Sequence, residues 1–339
     1  MNYSIDNIQI FILTGNRTEY LKQAINSLFC SSVIPKEIYV LDYSKNNQET
    51  AEYIKFLSDT RINYVNTYVS PEMERYSNYL MVKKLLNKKF LMIMHDDDII
   101  HPRYLEQALK VLNLEKDLSL VSCKTMAFKD ESQIKFNECL LNEYVLLDDK
   151  IVYNNLIYSD KFNLCFPASV MLAERYREID CIKLFEKYSK FSDGIFLQSF
   201  LNANKIAIIN NFEYFYRLHS GQDTNDSSTD LTKEQFLAFL DSLVADKFKY
   251  WNAHMKVWRL KIWYNYLKET DKEELSLGMI IEKYTSLLNL YLFLIHEKRK
   301  ENLKLYLLWN LYKPFYKISN SLYTRRMKCL ISKYTKKFD

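Results

Sequence analysis

Glycine and proline are scarce in this chain of 339 residues, which has 4 Gly and 5 Pro. That scarcity argues against a turn-dense all-β sandwich or barrel, which needs such residues at regular intervals. The glycine-rich loops that cradle phosphates are missing as well. No GxxxxGK followed by Ser or Thr occurs. The first strand-to-helix turn, Leu13-Thr14-Gly15-Asn16-Arg17, has a single glycine where a dinucleotide fingerprint needs three. A nucleotide bound here would have its phosphates held by metal and side chains. The six cysteines (30, 123, 139, 165, 181 and 329) lie far apart and form no CxxC. They read as buried or incidental thiols of a reducing compartment, which excludes a zinc site and a disulfide framework. No run of about 18 apolar residues is present, so no spanning helix is expected. The opening MNYSIDNIQIF lacks the basic start and long apolar core of a signal peptide.

What the chain does have is apolar bulk. It is 48% hydrophobic and 15% aromatic, with 27 Tyr and 20 Phe, enough to build a sizeable core and to exclude disorder as a global description. The net charge of +5 is unevenly spread. Glu297 to Asp339 carries twelve Lys or Arg against three acidic residues, so the chain before it is net acidic.

The stretch that organises the rest is Phe90–Pro102, FLMIMHDDDIIHP. Phe90 to Met94 is an uninterrupted apolar run, as in a strand buried on both faces of a parallel sheet. His95, Asp96, Asp97 and Asp98 follow at once. Three adjacent carboxylates repel one another and need positive charge nearby. At the carboxyl end of a buried parallel strand, where open α/β sheets bind ligands, a divalent cation fits that need. Hard oxygen donors suit Mg²⁺ or Mn²⁺, which commonly share their coordination sphere with substrate phosphates. A solvated acidic turn ahead of the next helix is the simpler alternative.

Around it, strands and helices alternate. Strands are expected at Ile8–Thr14, Ile38–Leu41, Arg61–Val65, Phe90–Met94 and Ser119–Cys123. Helices are expected over Glu19–Cys30 with Thr18 as cap, Gln48–Leu57, Glu72–Leu86 and Arg103–Leu112. This alternation implies βαβ units and a doubly wound, mostly parallel sheet. Further on, a strand is expected within Phe166–Leu172, and Asp193 sits just before a helix running to Leu201, where an N-cap is the simpler alternative to a functional role. Two more strands are expected, at Ile206–Ile209 and Tyr214–Leu218. The polar stretch Asp223–Asp230 marks a boundary between a domain over 1–230 and one over 231–339. The second is read as all-α, with helices near 233–268, 272–296 and 299–336, dense in Tyr and Trp between Lys and Arg.

Taken in order, these pieces resemble the family 2 glycosyltransferases of the GT-A fold across roughly the first 225 residues. The resemblance rests on Thr14-Gly15-Asn16-Arg17 for "TYNR" and Leu41-Asp42-Tyr43-Ser44-Lys45-Asn46 for the strand ending in "VDDGSxD". It also rests on His95-Asp96-Asp97-Asp98 through Pro102 for "DADDxxxP", on Asp193 for the catalytic carboxylate, and on Tyr216-Arg217-Leu218-His219 for "YRxH". Arg75-Tyr76-Ser77-Asn78 is a blurred form of the family's "RN" element. Three positions depart from the pattern: Gly15 stands for the usual aromatic, Tyr43 for the second Asp, and His95 for the first metal-motif Asp.

The resemblance implies a hexosyl- or glycosyltransferase that takes sugar from a nucleotide-sugar donor, with uridine favoured by Asp42 at a pyrimidine edge. It implies Mn²⁺ or Mg²⁺ held by Asp97, assisted by Asp98 and His219. Donor contacts would come from Thr14, Asn16, Arg17, Asp42, Arg75, Asn78, Asp96 near the ribose, and Arg217 at the phosphates. Asp193 would act as general base in an inverting displacement. The acceptor would be a hydroxyl of a glycan or lipid-linked saccharide, with no nucleic acid involved. The basic tail 297–339 would place the protein on the cytoplasmic face of an anionic membrane; homo-oligomerisation is left open. A catalytically weak relative that only binds saccharide is the alternative, and a nucleotidyltransferase a third reading.

Overall fold

The apolar run Ile8–Thr14 forms β1, buried at every position, as a strand covered on both faces must be. The computed structural model describes residues 2–70, 74–136, 142–150, 152–153, 167, 169–189, 192–202, 204–219 and 331–338, with single residues at 235, 238, 325, 328 and 329. Parallel to β1 lie β2 (Ile38–Asp42) on one side and β4 (Phe90–His95) on the other, with β3 (Ile62–Asn66) beyond β2. The crossovers carry α1 (Thr18–Phe29), α2 (Gln48–Leu57) and α3 (Glu74–Leu85). Helix α1 buries Leu21, Ala24, Ile25 and Leu28, the helical spacing that aims one stripe at the sheet. Its cap differs from expectation. Arg17 is the N-cap residue and Thr18 is already helical, its hydroxyl 2.9 Å from that of Thr50.

After β4 come β5 (Ile99–Ile100), α4 (Tyr104–Leu114), β6 (Leu118–Phe128), β7 (Glu143–Leu147) and β8 (Ser169–Leu172). Then follow α5 (Ala173–Glu178), α6 (Cys181–Tyr188), α7 (Ser192–Ser199), β9 (Lys205–Arg217) and β10 (Thr335–Lys337). Among the described residues ten strands form one sheet, ordered β10-β7-β9-β6-β8-β4-β1-β2-β3, with β5 paired to β9. It is the expected α/β class: parallel through β3-β2-β1-β4 and again between β6 and β9. The antiparallel strands β8, β7 and β10 make it mixed. Ile10, Ile12, Leu21, Ile25, Met92, Met94, Tyr104 and Val111 belong to its main core.

Two expectations change. The strands foreseen at Ile206–Ile209 and Tyr214–Leu218 are one 13-residue strand. Between them the register shifts at Asn210-Asn211, a bulge, since Cys123 faces Ile209 while Lys124 faces Phe212. At the other end, residues 335 and 336, expected to close a helix, belong with Lys337 to β10, antiparallel to β7. Phe338 then enters the core beside Tyr144, and Lys336 pairs with Glu115. Burying that phenyl ring outweighs continuing a polar helix.

By contacts the chain divides into one compact unit of Met1–Ser242 with Tyr334–Asp339, and a second of Leu243–Lys333. Most of the helices expected past residue 231 lie outside the described residues; residues 325, 328, 329 and 331–334 are helical. Among the described residues no helix is long and apolar enough to cross a membrane. Cys30, Cys123, Cys181 and Cys329 are free thiols, while Cys139 and Cys165 lie outside the described residues.

Candidate active site

Register brings three strand ends together. Thr14 of β1 faces Asp42 of β2, and Leu13 faces His95 of β4, so the turns after β1, β2 and β4 meet at the carboxyl edge of the sheet. Ligands of open α/β sheets bind at such an edge.

Asp96 ties two of these turns together. Its backbone N–H donates to the Leu13 carbonyl at 3.1 Å. Its Oδ2 accepts from the Thr14 hydroxyl at 2.7 Å, the Gly15 N–H at 3.3 Å and Arg17 Nε at 3.3 Å, and Arg17 Nη2 lies 2.9 Å from Oδ1. No surface of Asp96 remains exposed, and burial raises its carboxyl to about 7 against the pull of Arg17. Asp96, expected near a ribose, pins the first βα turn to the acidic turn, with Thr14 as one of its partners.

Asp97 is held on one side only. Its Oδ2 accepts from Arg17 Nη1 at 2.9 Å and lies 2.9 Å from His219 Nε2. Its Oδ1 is buried with no hydrogen-bond partner among the described residues. Burial works to raise this carboxyl, but the charges of His95 and Arg17 and the His219 contact prevail and hold it below its ordinary value.

Asp98 is fully buried beneath them. Its Oδ2 accepts from the Tyr214 hydroxyl at 2.8 Å and its Oδ1 from the Arg217 N–H at 3.0 Å. Burial first, and then the charge of Asp97, push its carboxyl well above the ordinary range. The Arg217 side chain is buried as well, its guanidinium 4.8 Å from the Tyr20 ring centroid and 4.5 Å from that of Phe128. It donates through Nε to the Asp97 carbonyl at 2.9 Å and through Nη2 to Gln23 at 2.5 Å. Arg217, expected at the donor phosphates, also ties β9 to the acidic turn through these bonds.

A divalent cation can be tested against these donors. His95, Asp97 and Asp98 each offer one ligand atom, and the three atoms lie within 4.8 Å of one another. The unpartnered Asp97 Oδ1 is the atom such an ion would satisfy. Two carboxylates and an imidazole leave room for water or phosphate oxygens, the coordination Mg²⁺ and Mn²⁺ favour. The residues fit. His219 Nε2 lies 2.9 Å from Asp97 Oδ2, and His95, the position that departs from the motif the sequence resembles, is the third member of the group.

The remaining donor candidates are spread around the same edge. Asp42 is fully buried; its Oδ1 accepts from the Ser44 N–H at 2.8 Å and its Oδ2 from the Tyr64 hydroxyl at 2.9 Å. Exposed Asn16 adopts φ 56°, a left-handed conformation that asparagine tolerates, and its N–H donates to Ser44 Oγ at 2.7 Å. Asn78 is buried on α3 and accepts from the Thr67 hydroxyl. Arg75 is on α3, but its side chain lies outside the described residues.

Asp193 lies in the first turn of α7, one residue past the helix start at Ser192, so it does not cap the helix. No hydrogen bond among the described residues joins it to Asp97. The protein around it raises its carboxyl to about 6, although the residue is exposed. An exposed carboxylate keeps much of its hydration, which argues for a smaller rise. Sequence reasoning missed Tyr214, Tyr20 and Gln23, whose roles depend on where β9 and α1 cross the acidic turn. A tyrosine next to "YRxH" carries no signal of its own.

Residues 6–144 match the model of "Glycosyltransferase like family 2". Protein CgeD of Bacillus subtilis (strain 168) is 24% identical over 124 residues, which are 35% of this chain and 29% of that protein. The match therefore spans less than a third of CgeD. Among solved structures, S. aureus TarS 1–349 in complex with UDP-GlcNAc superposes with a TM-score of 0.48 at 13% identity, covering 85% of this chain and 79% of that one. The longer TarS structure gives a TM-score of 0.47 at 13% identity, with 85% of this chain and 47% of that one covered.

Proposed function

We propose, for a chain whose residues 6–144 belong to the glycosyltransferase-like family 2, an inverting transfer of sugar from a UDP-linked donor to a hydroxyl of a glycan acceptor. The observation that carries the proposal is the orphaned Asp97 Oδ1, buried beside His95 and Asp98 at the carboxyl edge of the sheet. His95, Asp97 and Asp98 would hold Mn²⁺ or Mg²⁺, which when bound neutralises the donor's diphosphate and the charge that develops on it as the leaving group.

The chain's own residues supply the rest. Arg217 and Tyr214 fix the acidic turn, and Thr14 and Gly15 fix Asp96, so the ligand atoms are positioned before a donor arrives. Asn16 and Arg17, an exposed and a partly exposed residue of the first turn, would supply further donor contacts. At Asp42, further acceptor capacity on a carboxylate already bonded to Ser44 and Tyr64 would meet a pyrimidine N–H. Asp193 would take the acceptor's proton as its oxygen attacks, a role worth ~10²–10⁴-fold in rate.

Asp193 has a raised carboxyl but stays in the physiological range of a base. A lipid-linked saccharide is the acceptor class the basic stretch before β10 would suit, with docking at an anionic membrane surface. The domain layout proposed with this function is a catalytic domain over about 1–230 and a helical one beyond.

The test is a panel of nucleotide sugars with purified protein and Mn²⁺, scored by nucleotide release and by the anomeric configuration of the product. UDP release with inversion is expected. Saccharide binding with no release from any donor would overturn the reading in favour of a binding protein.

A further inference from the structure

We propose that Arg17 is an exchangeable counter-cation, holding Asp97 while no metal is bound and giving it up when a divalent ion and a diphosphate arrive. The inference rests on the metal reading of the preceding subsection and concerns what this arginine does toward the ion. Its guanidinium bridges two carboxylates, with Nη1 2.9 Å from Asp97 Oδ2 and Nη2 2.9 Å from Asp96 Oδ1. The two partners differ. Asp96 is also held by Thr14 and Gly15, whereas Asp97 has a second side-chain partner in His219, on the same oxygen.

Three features make the Asp97 contact the one that can be released. First, Arg17 reaches in from the rim: its side chain is 21% exposed, against 0% for Asp96 and 6% for Asp97. A partly exposed guanidinium can leave a carboxylate for water at modest cost, which a buried one cannot. Second, the loss leaves no stranded oxygen, because His219 remains 2.9 Å from Asp97 Oδ2. Third, a cation on Asp97 Oδ1 would put two like charges on the two oxygens of a single carboxylate. Their repulsion sets the guanidinium and the ion in competition for Asp97.

Where Arg17 goes is set by its place in the chain. It is the N-cap residue of α1, directly after Asn16 in its left-handed turn, on the rim of the carboxyl edge. The planar fork that fits two carboxylates fits a diphosphate equally well. Metal and nucleotide would thus cooperate: the ion displaces Arg17 from Asp97, and the freed guanidinium meets the phosphates the ion brings.

The experiment measures Mn²⁺ binding by titration calorimetry and by loss of the free Mn²⁺ EPR signal, first without nucleotide and then with saturating UDP. Removing Arg17 alone would strand Asp96, so the comparison is made between Asp96→Asn and the double variant Asp96→Asn with Arg17→Gln. The asparagine keeps an oxygen for Thr14 and Gly15. Without nucleotide, the double variant should bind Mn²⁺ about tenfold more tightly than Asp96→Asn, the effect of removing one nearby positive charge. With UDP present the order should reverse. Equal or weaker Mn²⁺ binding by the double variant without nucleotide overturns the exchange. Failure of the wild-type chain to bind Mn²⁺ at all overturns the metal reading and the exchange with it.

Discussion

The ring of Tyr43 fills the space that a side chain on Gly15 would need: a Cβ built on Gly15 would lie 2.2 Å from Tyr43 Cζ and 2.4 Å from its Cε2. The two turns are also joined by the Tyr43 N–H, which donates to the Thr14 carbonyl at 3.1 Å. These are two of the three positions at which the chain departs from the family pattern, and the departures fit each other. An aromatic expected at 15 is absent, and an aromatic at 43 lies over the vacated spot.

A double-mutant cycle tests that pairing. Gly15 has no positive φ, so Gly15→Ala brings no backbone strain, only the clash with the ring. Tyr43 can swing its ring end away but loses its packing, a cost of about 1–3 kcal/mol for overfilling. In a Tyr43→Ala background the same alanine should be harmless. Denaturant unfolding of the four proteins should give a coupling of about 1 kcal/mol; additive effects would mean that the ring does not rest on Gly15.

Asp96 and Asp97 should fail in different ways. Asp97→Ala should abolish metal-dependent UDP binding and turnover while leaving a folded protein, because His219 and Arg17 can turn to water or to Asp96. Asp96→Ala removes the acceptor for Thr14, Gly15 and Arg17 at a fully buried position. Breaking such a pair costs about 3–5 kcal/mol, so the defect should appear first in thermal melts. An Asp96→Ala protein as stable as wild type would show that the pin carries no weight.

Much of this site could be read from the sequence, and its gaps have physical causes. Phe90–Met94 announced a buried strand because an unbroken apolar run at a sheet centre has little other use. The acidic turn was legible because three carboxylates in a row need an explanation. What Asp96 does was not legible, since its partners Thr14 and Arg17 are some eighty residues away in the chain. The contacts of Arg217 were not legible for the same reason: two aromatic faces and the Asp97 carbonyl, distant in the chain, hold it. The β10 strand was missed because Thr335-Lys336-Lys337 is polar, and only the neighbour Phe338 and the open edge of β7 draw it into the sheet.

Glu213 should make the fold pH-sensitive. It is fully buried on β9, its Oε1 accepts from Asn211 at 3.2 Å, and its Oε2 has no hydrogen-bond partner among the described residues. Burial raises its carboxyl to about 8, so the folded protein keeps a proton that the unfolded chain loses near 4.5. Stability is then full below that lower value and declines as pH rises, the loss being complete above about 8. The penalty is on the order of a few kcal/mol. Glu213→Gln should flatten the profile, with the variant more stable than wild type at alkaline pH. Parallel profiles for the two proteins in urea melts across this range would refute the claim.

Asp193→Asn should leave UDP affinity nearly unchanged and lower transfer by ~10²-fold or more, as expected for a lost base. The helix itself should survive, because residue 193 lies inside the first turn and does not cap it. Wild-type kcat/KM should fall on the acid side as the carboxyl is protonated, at a pH above the ordinary carboxylate range and no higher than about 6. An active Asp193→Asn protein with the same acid limb would move the base elsewhere.

Membrane docking must now be tested without cutting the tail. Twelve Lys or Arg lie between Glu297 and Asp339, interleaved with Leu305, Tyr306, Leu308, Trp309, Leu311 and Tyr312, a composition suited to a bilayer interface. A truncation at Glu297 would also remove β10, the Lys336–Glu115 pair and the buried Phe338, so lost binding could reflect a damaged sheet. Charge removal within the full chain avoids that confusion. Each basic residue near an anionic surface contributes about 1 kcal/mol. Replacing Lys298, Arg299, Lys300 and Lys304 by Gln should therefore weaken flotation with phosphatidylserine vesicles by orders of magnitude at low salt, with the melting temperature unchanged. Raising salt should weaken wild-type binding in the same direction, since the attraction is screened beyond about 10 Å at 0.1 M. A wild-type chain that does not float at low salt, or a quadruple variant that floats as well as wild type, would assign those lysines to solvent or to packing within the protein.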